Sequence, residues 1–438
     1  MPANSDKQAN VTEHVNDEME MGPIQKYRQA MGAFSPSLRR LLLTMALIYI
    51  PGLGLIPVLQ NLYRLRLGFD VQFIGLLVGL GQVVWAAAAL PAGLLSNRIG
   101  LRNGLMLGIG LFGLGLALLL LVESRPESQW QAWLMGSQVV FWLGTALITV
   151  NVAPYVMAVT GEGERRYAFA TFSATLPAMA LVGSLVAGVL PGLLAGWLDL
   201  TLDQPAPYRL ALWLGPVLSF GTLAILVRAD PVHAARQYAR QGRTARAPLA
   251  LLAFFGLVVF LGAIGEGTVR IFFNVYLDMA LGVAPAAIGS IMGLAQLLPI
   301  GAALAVPFLV ARWGTGSALA ASLLGAGLLF LPLAAVPLVW VTAVAYMGII
   351  ALVTLTATTR DMFGQELVLP RWRTSSQGVV VVGLALGWSL AGIAGGALIT
   401  VSGFTALYCA GALAALLAAG LLAGYLRWAG IRPAAALE

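Results

Sequence analysis

The chain has 438 residues and a formal net charge of +7, with a mean hydropathy of +0.88 and only 10% charged residues. A soluble domain carries ~25% charged residues, so this composition cannot cover a water-facing surface, and the bilayer must solvate most of the chain. In hydrocarbon the backbone has to bond to itself, as helices or as a closed barrel. Barrel strands alternate in polarity over ~10 residues, whereas the apolar runs here extend for about twenty or more, which makes them helices.

The same inventory excludes several chemistries. One cysteine, Cys409, permits no disulfide framework and no CxxC metal motif. The two histidines, His14 and His233, are far apart in polar segments, which argues against a zinc or haem site. No G-x-x-x-x-G-K-[ST] loop occurs, so ATP is not bound by a P-loop, and any pumping draws on an ion or solute gradient. No metal, no cofactor and no enzymatic activity are expected.

Residues 1–38 are polar and mixed in charge, and read as a cytoplasmic tail with a short amphipathic helix near Ile24–Phe34. No small-residue cleavage site suits a signal peptide. Apolar runs follow at roughly 41–63, 71–96, 103–122, 131–158, 167–195 and 208–227. A polar stretch, 228–248, carries Arg228, Arg236, Arg240, Arg243 and Arg246 and reads as a cytoplasmic linker. Six more runs lie near 249–277, 286–311, 317–335, 337–362, 374–401 and 404–426. The organisation is therefore a bundle over 39–227, the linker, a second bundle over 249–427, and a tail over 428–438 whose end, Ala434–Glu438, resembles a vector-derived sequence.

Basic residues set the orientation. With both termini in the cytoplasm, 20 of the 25 Lys and Arg residues fall inside, while Arg64, Arg66, Arg125 and Arg209 fall outside and Arg270 lies within a helix. This asymmetry is an insertion signal into a cell membrane, so the net charge needs no nucleic-acid partner.

The halves resemble each other. Ile74–Gly100 and Ile288–Gly314 align without gaps at 11 of 27 identical positions, including Gly79/Gly293, Gln82/Gln296 and the R-x-G endings. Just upstream, Asn61-Leu-Tyr63 matches Asn274-Val-Tyr276 with a one-residue shift. Two similar halves imply a solute site at their interface and rocking of one half on the other.

The turn after the second run reads Gly93-Leu-Leu-Ser-Asn97-Arg98-Ile-Gly100-Leu-Arg102-Asn-Gly-Leu105. It resembles the major facilitator signature G-x-L-x-D-R-x-G-R-K-x-x-L, and its echo after the eighth run keeps Leu309, Arg312, Gly314 and Leu319. With the twelve runs and the linker, the resemblance covers nearly the whole chain. It implies an all-α integral membrane fold of twelve transmembrane helices in two pseudo-symmetric six-helix bundles. It also implies alternating access around a cavity lined by the first, fourth, seventh and tenth helices. In the family the motif's Asp and Arg form a charge network that latches one state. Here the Asp is replaced by Asn97, and by Ala311 in the second half, so a weaker or differently built latch is expected.

Ionisable groups at the bilayer centre cost ~2.5–3.5 kcal/mol each. Only the seventh helix carries them well inside its span, as Glu266 and Arg270, four residues apart on one face. They read either as a proton carrier beside a substrate-holding guanidinium or as a static ion pair. Further cavity candidates are Tyr49, Gln60 and Asn61 in the first helix and Trp142, Thr145, Thr149 and Asn151 in the fourth. Phe273 and Asn274 in the seventh and Tyr346 and Thr354 in the tenth complete the set. Arg360-Asp361 at the inner end of the tenth helix reads as a cytoplasmic gate or a solvated helix end. Gly183-x-x-x-x-Gly188 and Gly383-x-x-x-Gly387 faintly resemble the glycine-rich antiporter motif, though small residues chiefly permit close packing. The expected protein is a monomeric secondary transporter of a small amphipathic or hydrophobic solute, with proton-coupled efflux. Uptake of a small organic anion, a lipid flippase and a non-transporting sensor are the alternatives.

Overall fold

A computed structural model describes residues 31–32, 34–229, 249–369 and 372–428. The expected tails, most of the linker and the amphipathic helix near Ile24–Phe34 lie largely outside these residues. Ten membrane-length helices come first: α1 (Pro36–Arg66), α2 (Val71–Ile99), α3 (Leu101–Leu120), α4 (Trp130–Val159), α5 (Glu162–Trp197), α6 (Ala206–Leu226), α7 (Leu249–Met279), α8 (Pro285–Trp313), α9 (Thr315–Ala335) and α10 (Val339–Glu366). A final helical stretch, Arg373–Trp428, turns back at Gly403, where φ is 78°. Unbroken, its 56 residues would extend ~84 Å, far beyond a bilayer. The reversal divides it into α11 (373–402) and α12 (404–428), which makes twelve spans among the described residues, the number expected.

Local chemistry sets the boundaries. The Ser35 hydroxyl caps α1 by accepting from Leu38 N at 3.2 Å, and Asp70 caps α2 by accepting from Phe73 N at 2.7 Å. The Pro51-Gly52-Leu-Gly54 sequence carries a π-helical turn, Ile50–Leu55, inside α1. That turn lets Gly54 meet Gly183 of α5, where a Cβ on Gly54 would lie 2.4 Å from the Gly183 Cα. The α2–α3 and α8–α9 turns pivot on Gly100 and Gly314, with φ of 91° and 79°, which only glycine adopts without strain. They are the last residues of the internal repeat, so the two halves reverse direction by the same device.

Glycines also join the halves. A Cβ on Gly75 of α2 would lie 2.1 Å from the Gly392 carbonyl oxygen of α11, and one on Gly289 of α8 would lie 2.4 Å from the Ser184 carbonyl oxygen of α5. Gly75 and Gly289 are equivalent in the repeat, so its shared glycines are the points where backbones of opposite halves touch. Gly188 likewise faces Ala286 and Gly289, while Gly383 and Gly387 lie against Val259 and Ala263 of α7. The glycine pattern of α5 and α11 therefore serves close packing.

These junctions share one end of the molecule, and the opposite end is parted. The first part of α8, Pro285–Ala295, packs on α5 and buries Ile288, Gly289 and Met292. The second part, Leu298–Trp313, packs within its own half and buries only Val306. Leu90 and Leu94 of α2, with Leu304 and Phe308 of α8, are 67–80% exposed. The parted end carries the basic turns of Arg98, Arg102 and Arg312.

Candidate functional site

The closed end is held by α1 and α7. Asn61 Nδ2 donates to the Ile271 carbonyl at 2.9 Å, and Asn274 Nδ2 donates to the Val58 carbonyl at 3.0 Å. Both amides are buried, so each bond gives a buried side-chain N–H a partner on the opposite half, a helical carbonyl that accepts it in addition to its own i+4 backbone bond. Towards the helix ends, Arg66 grips Asp278 through two bonds of 2.8 and 2.7 Å, and its Nε reaches the Leu202 carbonyl at 3.1 Å. The planar guanidinium matches a carboxylate two atoms at a time, which fixes orientation as well as charge.

Arg64 lies beside this clasp and is fully buried. Its Nη1 donates to Asn61 Oδ1 at 3.2 Å and its Nη2 to Gln138 Oε1 of α4 at 2.8 Å, while its Nε has no partner among the described residues. Arg64 and Arg66, expected on the outer side, form the last turn of α1, and Arg64 is wholly enclosed. Their position at the edge of an apolar run hid them. The one available signal was adjacency, because Arg64 follows the Asn61-Leu-Tyr63 repeat directly.

Below the clasp, Arg270 Nε bonds Glu266 Oε1 at 2.5 Å. Glu266, Arg270 and Asn274 follow at four-residue steps and so share one face of α7. Asn274 at one end of this row bonds to α1 of the other half, and the Arg270 side chain is 46% exposed whereas that of Glu266 is 12% exposed. Helical rise sets Glu266 ~12 Å from Asn274 along the axis. Glu266 also lines a cavity of about 30 Å³ inside the second half, with Thr356, Arg360 and apolar side chains of α7, α9, α10 and α12. That suffices for a water or two.

The remaining candidates divide by place. Phe273 and Tyr346 are buried and stack face to face with centroids 3.9 Å apart, fastening α7 to α10. Asn151 is fully buried within the first half and donates to Ser96 Oγ and the Leu147 carbonyl, both at 2.7 Å, so it does not reach a cavity wall in this conformation. Thr145, Thr149 and Thr354 bond back to carbonyls four residues earlier. Trp142 packs on Gly81 of α2 with its Nε1 unpartnered among the described residues, and Tyr49 meets Phe172 edge-on. Gln60 is buried beside Asn61.

In the signature turn Gly93 is half-buried, and Asn97 and Arg98 are exposed with no hydrogen-bond partner among the described residues, as is Arg312 in the second half. Arg102 instead holds the end of α6, donating to the Ala229 carbonyl at 2.8 Å and the Val227 carbonyl at 3.3 Å, while Arg40 holds the Arg228 carbonyl. Arg360 is nearly buried and pairs with exposed Asp361 at 3.2 Å.

Twelve spans in two similar halves, closed at one end and parted at the other around a polar face, define a helical integral membrane protein of the transporter kind. A family profile described as Major Facilitator Superfamily matches residues 41–368, and the chain belongs to that superfamily. Solved structures with the same fold include the nucleoside transporter NupG, with 17% identity and a TM-score of 0.68 over 90% of this chain and 99% of that one. The peptide transporter POT in complex with sulfate gives 16% and 0.71, over 92% and 98%. A bacterial homolog of the human lysosomal transporter Spinster, inward-facing and occupied, gives 14% and 0.66, over 89% and 95%. A search of curated proteins returned no match.

Proposed function

We propose that the protein is a proton-coupled secondary transporter that moves a small amphipathic solute by alternating access, exporting it in exchange for protons. The observation carrying this reading is the placement of Glu266 and Arg270. They lie under a closed clasp, with Arg270 46% exposed and Glu266 turned to a small cavity inside the second half, and the far end is parted. With both termini in the cytoplasm of a cell membrane, the basic turns put the parted end inside, and the conformation is inward-facing. Glu266 carries the proton. In this conformation Arg270 is its counter-ion. The small cavity beside Glu266 also reaches Thr356 and Arg360. Arg270, when released, holds the polar end of the solute, and the apolar walls take the rest. The protein works as a monomer.

The test is flux in liposomes holding purified protein. A pH gradient is expected to drive solute movement, and Glu266→Gln is expected to abolish that drive while leaving exchange of solute for solute. Undiminished coupled flux in Glu266→Gln would remove Glu266 from the mechanism.

A further inference from the structure

We propose that Arg64, with Asn61 and Gln138, is a masked anion subsite, uncovered when the closed end opens and taken by a carboxylate or similar oxyanion on the solute. This deepens the transporter reading and rests on it.

The first ground is charge. The described residues contain four ion pairs, Arg66–Asp278, Arg209–Glu123, Arg270–Glu266 and Arg360–Asp361. Arg64 belongs to none, although it is fully buried. Burying an ion without a counter-charge is far more costly than burying a paired one. Its neighbours are neutral amide oxygens, which solvate the guanidinium without cancelling its charge. Helix α4, which supplies Gln138, has no charged residue at all.

The second ground is that the fold does not require a cation there. The position equivalent to Arg64, three residues after the matched asparagine, is Leu277 in α7, and it is equally enclosed. A leucine thus satisfies the packing in one half while the other half retains a costly arginine. Ionisable groups inside membrane helices mark sites of function for this reason.

The third ground is the cover. Asn61 is shared, its oxygen on Arg64 and its NH2 on the Ile271 carbonyl of the opposite half. Parting α1 from α7 removes the second bond and frees the amide to turn. The Asn61 and Gln138 oxygens then stand where two oxygens of a carboxylate would sit, and Nε supplies a further donor. The bidentate geometry that Arg66 already shows with Asp278 is available to Arg64 with a solute. Anion and clasp compete for one guanidinium, so an anion binds the opened form better and shifts the equilibrium towards it. Organic cations meet no unpaired acid on this path among the described residues.

The experiment uses the full chain in lipid, with Cys409→Ser and spin labels on Leu121→Cys and Met279→Cys across the closed end. The probes are phenylacetate, phenylethylamine and phenylethanol, which share a skeleton and differ in charge. Phenylacetate is expected to populate a longer distance and the other two are not. Arg64→Met should weaken that response about tenfold or more, and Arg64→Lys should restore part of it. Gln138→Glu supplies a built-in carboxylate and should remove the response while the protein stays folded, which keeps the test decisive if Arg64→Met does not fold. No lengthening with phenylacetate, an equal response in Arg64→Met, or lengthening with phenylethylamine would overturn the subsite. Glu266→Gln run in parallel separates the two readings. Loss of coupled flux with the anion response intact supports both, and coupled flux persisting with that response intact removes only the proton role.

Discussion

Asn61 and Asn274 exchange hydrogen bonds across the interface, each donating to the carbonyl three residues before the other. The motif is a two-fold clasp, built from the Asn-x-Tyr matched in the two halves. Removing one amide deletes a buried bond between the halves, worth about 0.5–1.5 kcal/mol, while the carbonyl keeps its own helical partner. Asn61→Leu and Asn274→Leu are therefore each expected to shift the protein towards the form open at this end. Because one clasp is involved, the double variant should shift it by less than the sum. Spin-label distances between α1 and α7 measure this, and strict additivity would mean two independent bonds.

Arg66 and Asp278 close the same end by charge. Asp278→Asn should open it and lower thermal stability, since the half-buried Arg66 loses its counter-ion. The exchanged pair, Arg66→Asp with Asp278→Arg, should recover part of both. A pair that only decorates the surface would give no recovery beyond either single change.

Two glycine contacts should behave differently. Gly289→Ala places a methyl 2.4 Å from the Ser184 carbonyl oxygen of the other half, and the halves can yield by parting. It should favour opening at this end with little loss of stability. Gly54→Ala drives a methyl against Gly183 within one half, where nothing can part. It should lower the unfolding temperature. Melting curves and distance measurements on both variants distinguish the outcomes.

Arg102 and Arg98 stand four residues apart in the signature turn, yet only Arg102 is engaged here, on the α6 carbonyls. Arg102→Ala should destabilise the first half. Arg98→Ala should leave melting unchanged in this conformation and act only on the rate of cycling. Equal destabilisation by both would show that Arg98 has a partner in this state.

Much of the molecule was legible in the chain. Hydropathy dictated helices, because hydrocarbon offers the backbone no other partners, and the spacing of runs and the shared Gly100 and Gly314 turns dictated two halves. The repeat even marked Asn61 with Asn274 and Gly75 with Gly289. It could not say that these residues touch the opposite half, because contact across the interface depends on how two bundles dock. Nor did it separate Asn151, enclosed within one half, from Asn61, since both are amides in apolar runs. Arg64 was least legible. An arginine at the end of an apolar run looks like a loop charge until the tertiary structure brings Gln138 and α7 around it. Sequence alone determined helices, their number and their symmetry, for these follow from local solvation. Which charges are paired, and which one is buried alone, was decided only by packing.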